Sequence, residues 1–374
     1  MKTLPQTGGF TLMAVACLTI MVGCVIVPGL PSISRHLGVE DAAGWLVTLP
    51  ALGVVLFGPL AGRIIDRAGL TRSLHIGLFL YGLFGAGGAF LHGHWAVFTD
   101  RLLLGMPTAL VMSSGTALIS SFYHGEARMR MIARQGMSIE LGGVIFLFLA
   151  GLLATAGWRW PFTLYLLAWV LLAMVLAFIP GDPHTAPEET AASARAKTGA
   201  LRLTYTAALF SMICFFTAII LLPLHFNALG VSEAQTGYFL SFVSLIAVFA
   251  AWLMPELVRR LSGRVTLALA FTLYAVGHLL FAFAPSMPFF VPGGIVMGCA
   301  FGFSVPLVNH LMVQLSSPAQ RGRNLARLSM ALFLGQFLAG FMGYLPGNST
   351  AVFTAAALIA AAMAALTFAY KPFQ

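Results

Sequence analysis

Long apolar blocks, interrupted at short intervals by polar residues, glycine or proline, set the organisation of this chain. Read in windows of about 19 residues, twelve blocks are long enough to cross a hydrocarbon core of about 30 Å at about 1.5 Å rise per residue. They cover residues 10–33, 44–62, 73–91, 95–121, 132–153, 161–179, 201–224, 236–256, 265–283, 289–315, 324–343 and 349–370. Pro28, Pro31, Gly93, Gly157, Pro180, Gly230, Pro285, Pro318 and Gly347 fall near the block ends, where helix breakers belong. The pattern predicts an all-α membrane protein with twelve transmembrane helices joined by short connections.

Composition agrees. Of 374 residues, 59% are hydrophobic and 8% charged, and the mean hydropathy is +0.93. A water-soluble domain carries about 25% charged residues, so this chain has too few to solvate a folded surface. The formal net charge of +9 would invite a nucleic-acid reading in a soluble protein, but the distribution of the charge says otherwise. With the N-terminus placed in the cytoplasm, seventeen of the twenty Lys and Arg fall on the cytoplasmic side, from Lys2 and Arg63 to Arg327 and Lys371. Arg35 and Arg159 fall outside and Arg101 lies within a block. This is the positive-inside asymmetry of a multi-pass protein with both termini cytoplasmic, and it makes the charge an insertion signal rather than a nucleic-acid footprint. The first block is preceded by nine residues and has no small-residue cleavage site before its end, so it reads as an uncleaved first helix. Cys17, Cys24, Cys214 and Cys299 lie inside predicted helices and form no framework of external bridges.

The chain also repeats itself. Leu30, Pro31, Leu37, Gly38 and Val39 recur 192 positions later as Leu222, Pro223, Leu229, Gly230 and Val231. Arg128, Arg130, Arg134 and Gly142 recur 193 positions later as Arg321, Arg323, Arg327 and Gly335. Two clusters whose offsets agree to within one residue imply a six-helix unit used twice in the same orientation: an N-terminal bundle over residues 1–179, a polar cytoplasmic linker over 180–200 and a C-terminal bundle over 201–374. Two such halves suit a machine that rocks about a central site and exposes it to either side in turn.

Between the second and third blocks the sequence runs Gly62, Arg63, Ile64, Ile65, Asp66, Arg67, Ala68, Gly69, Leu70, Thr71, Arg72, Ser73, Leu74. Here it resembles the major facilitator superfamily, whose signature in this loop is matched by Gly62, Asp66, Arg67, Gly69 and Leu74. Leu70 and Thr71 replace the two basic positions, and Arg72 keeps one positive charge nearby. The resemblance implies a cytoplasmic conformational latch at Gly62, Asp66, Arg67, Gly69 and Arg72. The alternative is an ordinary solvated loop that follows the positive-inside rule. Three further stretches resemble the same family: Arg101 with Gly105, the run Trp158-Arg159-Trp160-Pro161-Phe162, and Pro28-Gly29-Leu30-Pro31 with Leu37 and Gly38. The last resembles the drug:proton antiporter branch, although Gly142 and Gly143 in the fifth block lack the Pro of that branch's pattern.

Charges within the blocks are few, and an intramembrane ionisable group is a functional candidate by default. Glu140 lies about 12 Å from the cytoplasmic end of its helix and is the candidate proton carrier; the alternative is a paired or neutral group that fixes packing. Asp100 and Arg101 are helix neighbours about 100° apart, which predicts that they do not point at one spot. The resemblance gives Arg101 the role of electrostatic modulator facing the cavity, with Asp100 as its structural companion. Glu140 and Arg101 differ in depth by about 15 Å or more, so they are not expected to pair directly. His75, His225, His278 and His310 titrate near physiological pH and could each relay protons; most of them are read as hydrogen-bonded packing residues. Gly294, Gly298 and Gly302 form a stripe that admits a neighbouring backbone. Met112, Phe215, Phe301, Asn309, Phe333 and Gln336 are the candidates for an adaptable substrate cavity.

No Lys follows a Gly, and neither His-Glu-x-x-His nor Gly-x-Ser-x-Gly occurs, so the chain lacks the residues of a P-loop, a zinc protease or an esterase. No cofactor and no metal is called for. The expectation is therefore a secondary transporter of the major facilitator type in a bacterial inner membrane, exporting a small amphipathic compound in exchange for protons. Its partners would be the substrate, protons and the bilayer; oligomeric state is not legible. Two other readings are proton-coupled uptake of a small nutrient or iron-chelating solute, and a non-transporting receptor or scaffold.

Overall fold

The computed structural model describes residues 4–123, 125–181 and 198–369. Among these residues there is no strand. The helices are α1 (Gln6–Cys24), α2 (Leu30–Leu37), α3 (Gly44–Ala68), α4 (Leu70–Gly87), α5 (His94–Phe122), α6 (Gly125–Ala156), α7 (Leu167–Phe178), α8 (Thr198–Ala228), α9 (Glu233–Leu261), α10 (Gly263–Ala282), α11 (Met287–Leu315), α12 (Pro318–Ala339) and α13 (Ser349–Ala369). Among the described residues, twelve helical stretches are long and apolar enough to cross a membrane. Most of the expected linker, residues 182–197, lies outside the described residues, as do Lys2, Arg195, Lys197 and Lys371.

The helices wear their apolar side chains outwards as well as inwards. Trp252 is 78% and Leu358 67% exposed in mid-helix, which suits hydrocarbon rather than water as the surrounding solvent. Proline is accordingly tolerated inside α3, α5, α8, α9 and α11, where neighbouring helices and internal hydrogen bonds cover the freed carbonyls.

Three expectations need correction. The first block is not one helix: α1 stops at Cys24 and α2 starts at Leu30. Pro28 has no N–H to donate and Gly29 is a weak helix former, and Val25, Ile26 and Val27, though apolar, turn with them. The sixth block opens with a 3₁₀ stretch, Trp160–Leu166, before α7. The stretch from Gly62 to Leu74 is not a loop. Helix α3 continues through Asp66 and Arg67 to Ala68, Gly69 alone makes the reversal, and α4 starts at Leu70. Gly69 does so at φ 86° and ψ 166°, a region essentially reserved for glycine.

The repeat is written in the backbone. Gly38 and Gly230, 192 apart, both have φ 72°. Ser262 lies 193 after Gly69 and has φ 79° and ψ 157° between α9 and α10; it is the one non-glycine residue with positive φ among the described residues.

The chain forms two compact units, Met1–Pro187 with Val231–Ser241, and Glu188–Gly230 with Phe242–Gln374. The start of α9 joins the first unit because glycines permit it. A Cβ on Gly151 or Gly237 would meet the other's Cα at 2.7–2.8 Å. Ser241 Oγ donates to Val144 O at 2.8 Å, and the Tyr238 and Phe148 rings stack at 5.3 Å. Each unit has the same tight seams. In the first, Gly105 of α5 lies on Pro50 O and Gly53 of α3; in the second, Gly298 and Gly302 of α11 lie on the backbone of α9 at Val243 and Ala247. Gly142 meets Cys17 of α1 at 3.0 Å and Gly335 meets Met212 of α8 at 2.9 Å, measured from the Cβ each would carry.

Candidate functional site

The first unit contains a buried ion pair. Arg101 is 1% and Asp100 8% exposed, both on α5. Against the expectation from helix geometry, they do converge: Arg101 Nε and Nη2 donate to Asp100 Oδ2 at 3.2 and 2.8 Å. The arginine side chain is long enough to fold back over its own helix, so the 100° between neighbouring Cβ directions does not limit where its guanidinium ends. A buried charge pair costs desolvation unless the remaining donors also find acceptors, and here each guanidinium nitrogen has at least one. Nη2 faces Phe84 O and Gly85 O, each at 3.4 Å, near the end of α4. Nη1 faces Tyr165 Oη at 3.4 Å, and the Phe162 and Tyr165 rings lie 5.5 and 5.6 Å from Cζ.

The cluster reaches α1. Tyr165 Oη donates to Val22 O at 3.4 Å and Tyr81 Oη to Leu18 O at 2.7 Å, and the two rings are 5.8 Å apart. Both tyrosines are fully buried, and their hydroxyls occupy carbonyls in the last two turns of α1 before its break. Sequence reasoning missed them, since nothing in their spacing sets them apart. The one available signal was Trp160-Pro161-Phe162, which opens the 3₁₀ stretch that carries Tyr165.

Glu140, on α6, is different. It is partly exposed, and among the described residues it makes no hydrogen bond or ion pair. Cys24, the last residue of α1, is within electrostatic range of both Glu140 and Tyr165. The end of α1 thus lies between the free carboxyl group and the closed pair.

The other candidates are dispersed. Asp66, Arg67 and Arg72 are exposed, and among the described residues none of the three makes an ion pair or a side-chain hydrogen bond. Gly62 sits inside α3 with open space around it. Met112 is half-buried on α5 in the first unit. The other cavity candidates lie in the second unit. There Phe215 and Phe301 meet with ring centroids 4.0 Å apart, Gln336 is buried, Phe333 half-buried and Asn309 exposed. The amide of Asn309 donates to Val305 O of its own helix at 2.9 Å. Among the histidines, His278 is buried with Nε2 2.9 Å from Cys214 O, His225 packs on Phe290 and Phe353, His75 is half-buried and His310 exposed.

Comparison with known proteins fits this architecture. A family model described as Major Facilitator Superfamily matches residues 11–271 and 204–373. Multidrug resistance protein 1 of Bacillus subtilis is 28% identical over 60% of this chain and 54% of its own length. Puromycin resistance protein pur8 of Streptomyces alboniger is 28% identical over 48% of this chain and 36% of its own. The matched region thus spans about half or less of these relatives. Among solved structures, a mutant of nucleoside transporter NupG has a TM-score of 0.78 at 14% identity, covering 98% of this chain and all of that one. A bacterial homologue of the human lysosomal transporter Spinster has a TM-score of 0.77 at 14% identity, covering 98% and 97%. At such identity the likeness is one of fold. With twelve helices long and apolar enough to span a membrane among the described residues and a family match along nearly its whole length, the chain is a multi-pass membrane protein and belongs to the Major Facilitator Superfamily.

Proposed function

We propose that the protein exports a small amphipathic compound in exchange for protons, by alternating access of two six-helix halves, residues 1–179 and 201–374, joined by a linker over 180–200. The observation that carries this reading is Glu140: a partly accessible carboxyl group on a membrane helix, unpaired among the described residues, in a unit where the intramembrane charges Asp100 and Arg101 neutralise each other. A free carboxyl group can take up and release a proton, whereas Arg101, closed onto Asp100, contributes a fixed field. In the proposed cycle substrate enters from the cytoplasm, protonation at Glu140 favours its release on the other side, and the segment around Asp66 and Arg67 controls the swing.

The export direction draws on the names of the relatives, two of which are resistance proteins, and on the Pro28-Gly29-Leu30-Pro31 stretch that breaks α1 from α2. The substrate site is proposed to use Met112, Phe215, Phe301, Asn309, Phe333 and Gln336. Both termini are proposed to lie in the cytoplasm, with the chain in a bacterial inner membrane; the excess of Lys and Arg on one side supports the orientation.

Everted vesicles test the direction. Under an imposed inside-acid gradient, an exporter coupled to protons lets added substrate dissipate the gradient, with dyes and antibiotics as the first panel. Substrate-driven proton movement of the opposite sense would establish uptake by symport instead, and saturable binding without flux would establish a receptor.

A further inference from the structure

A groove on the second unit has the chemistry of a lipid site. It has a volume of about 400 Å³ and is lined by Val265, Ala268, Leu269 and Thr272 of α10 and by Ala364, Ala365 and Phe368 of α13. Small side chains open it: Ala268, Ala364 and Ala365 lie where larger residues would fill the seam between the helices. From Val265 to Thr272 it runs about 10 Å along α10, and its walls are hydrocarbon save for the Thr272 hydroxyl, which donates to its own helix at Ala268 O at 3.0 Å.

A cation stands at one end. Arg264 is half-buried at the start of α10, with Cζ 5.9 Å from the Phe368 ring centroid. Among the described residues its guanidinium makes no ion pair or hydrogen bond, and Nη1 is sealed from solvent without an acceptor. Its neighbours are otherwise engaged. Arg259 and Arg260 both pair with Glu256, Arg260 Nε at 2.6 Å. An unsatisfied guanidinium at a membrane surface calls for an anionic acceptor whose oxygens match its fork, and phosphate is such an acceptor. An apolar groove running from that cation into the bilayer region calls for a chain attached to the phosphate. The position also suits the leaflet in which anionic lipids meet basic residues, on the proposed orientation that puts the α9–α10 turn and the end of α13 at the cytoplasmic face.

We infer that this groove binds an anionic phospholipid, with its phosphate on Arg264 and one acyl chain along α10 and α13. The inference stands apart from the transport direction and from Glu140. It is tested on the purified full chain by native mass spectrometry with phosphatidylglycerol and phosphatidylcholine of matched acyl chains. Phosphatidylglycerol should half-saturate its tightest site at a concentration at least fivefold below that of phosphatidylcholine. Arg264→Gln should abolish that preference, Arg264→Lys should keep part of it, and Ala365→Trp, which fills the groove from an exposed position, should weaken both lipids. Millimolar inorganic phosphate should displace neither lipid. Equal binding of the two lipids, or a preference that survives Arg264→Gln, would overturn the inference. So would displacement by inorganic phosphate with Ala365→Trp unaffected, which would mark a soluble-anion site, or a dimer abolished by Ala365→Trp without lipid preference, which would mark a second copy of the chain. Thermal unfolding of each variant separates lost binding from lost fold. Should Arg264→Gln fail to fold, Ala365→Trp decides, and undiminished lipid adducts on it would overturn the assignment.

Discussion

The two repeats share close helix seams and differ in charge. Shifted by 193 positions, Gly105 falls on Gly298, Gly142 on Gly335 and Tyr81 on Tyr274, and each glycine makes the same kind of close helix contact in its own unit. The same shift places Asp100 and Arg101 on Gly293 and Gly294, Glu140 on Phe333 and Tyr165 on Leu358. The first unit therefore holds its ionisable groups where the second holds glycine, phenylalanine and leucine. Tyr81 reaches the Leu18 carbonyl of α1, whereas Tyr274 pairs with the Ser304 hydroxyl at 3.0 Å. What was kept in both repeats is the geometry of helix packing, and what diverged is the chemistry. The turns diverge too: among the described residues Asp66, before Gly69, makes no ion pair, while Glu256, before Ser262, holds two arginines.

Breaking the charged cluster should have the largest effect. Arg101→Leu leaves the Asp100 carboxyl group buried without its partner, and removing one member of a buried pair costs about 3–5 kcal/mol. The variant should show a much lower thermal midpoint in detergent, and Asp100→Asn combined with Arg101→Gln should recover part of it. A double variant no more stable than Arg101→Leu would show that the ion pair is not what the first unit depends on. Next come the shared seams. Gly105→Leu and Gly298→Leu should each destabilise by about 1–3 kcal/mol, because overpacking against backbone cannot be relieved by side-chain rotation. A strong loss in one unit and none in the other would break the equivalence of the repeats.

The smallest effect is the most specific. Ser262 occupies a backbone region that costs a non-glycine residue about 1–3 kcal/mol, so Ser262→Gly should raise stability. Gly69→Ser, at the equivalent turn, should lower it. If both changes moved the unfolding midpoint the same way, the two turns would not be counterparts.

Much of this comparison can be read from the sequence. The spans are legible because a bilayer demands about twenty apolar residues per crossing, and the repeat because Arg128, Arg130 and Arg134 return intact. Other features are hidden for physical reasons. Val25, Ile26 and Val27 are as apolar as the helix they end, so hydropathy runs through the break between α1 and α2. Asp66 and Arg67 look like loop residues because they are charged, yet a helix keeps its hydrogen bonds when it emerges from hydrocarbon. The pairing of Asp100 with Arg101 depends on side-chain reach, which Cβ directions do not report. Tyr81 and Tyr165 act through carbonyls of a distant helix, a relation that no local pattern encodes. The Glu140 candidate was visible as a lone acid in an apolar run, but its lack of a partner is a fact of packing.

The central claim is that Glu140 carries the proton that drives exchange. Reconstituted protein and its Glu140→Gln variant, at equal amounts and equal insertion into liposomes, should be compared for proton movement during transport of a compound that the wild type exports. The account predicts that the glutamine variant still binds the compound but no longer moves protons with it. Undiminished proton-coupled exchange by that variant would contradict the account.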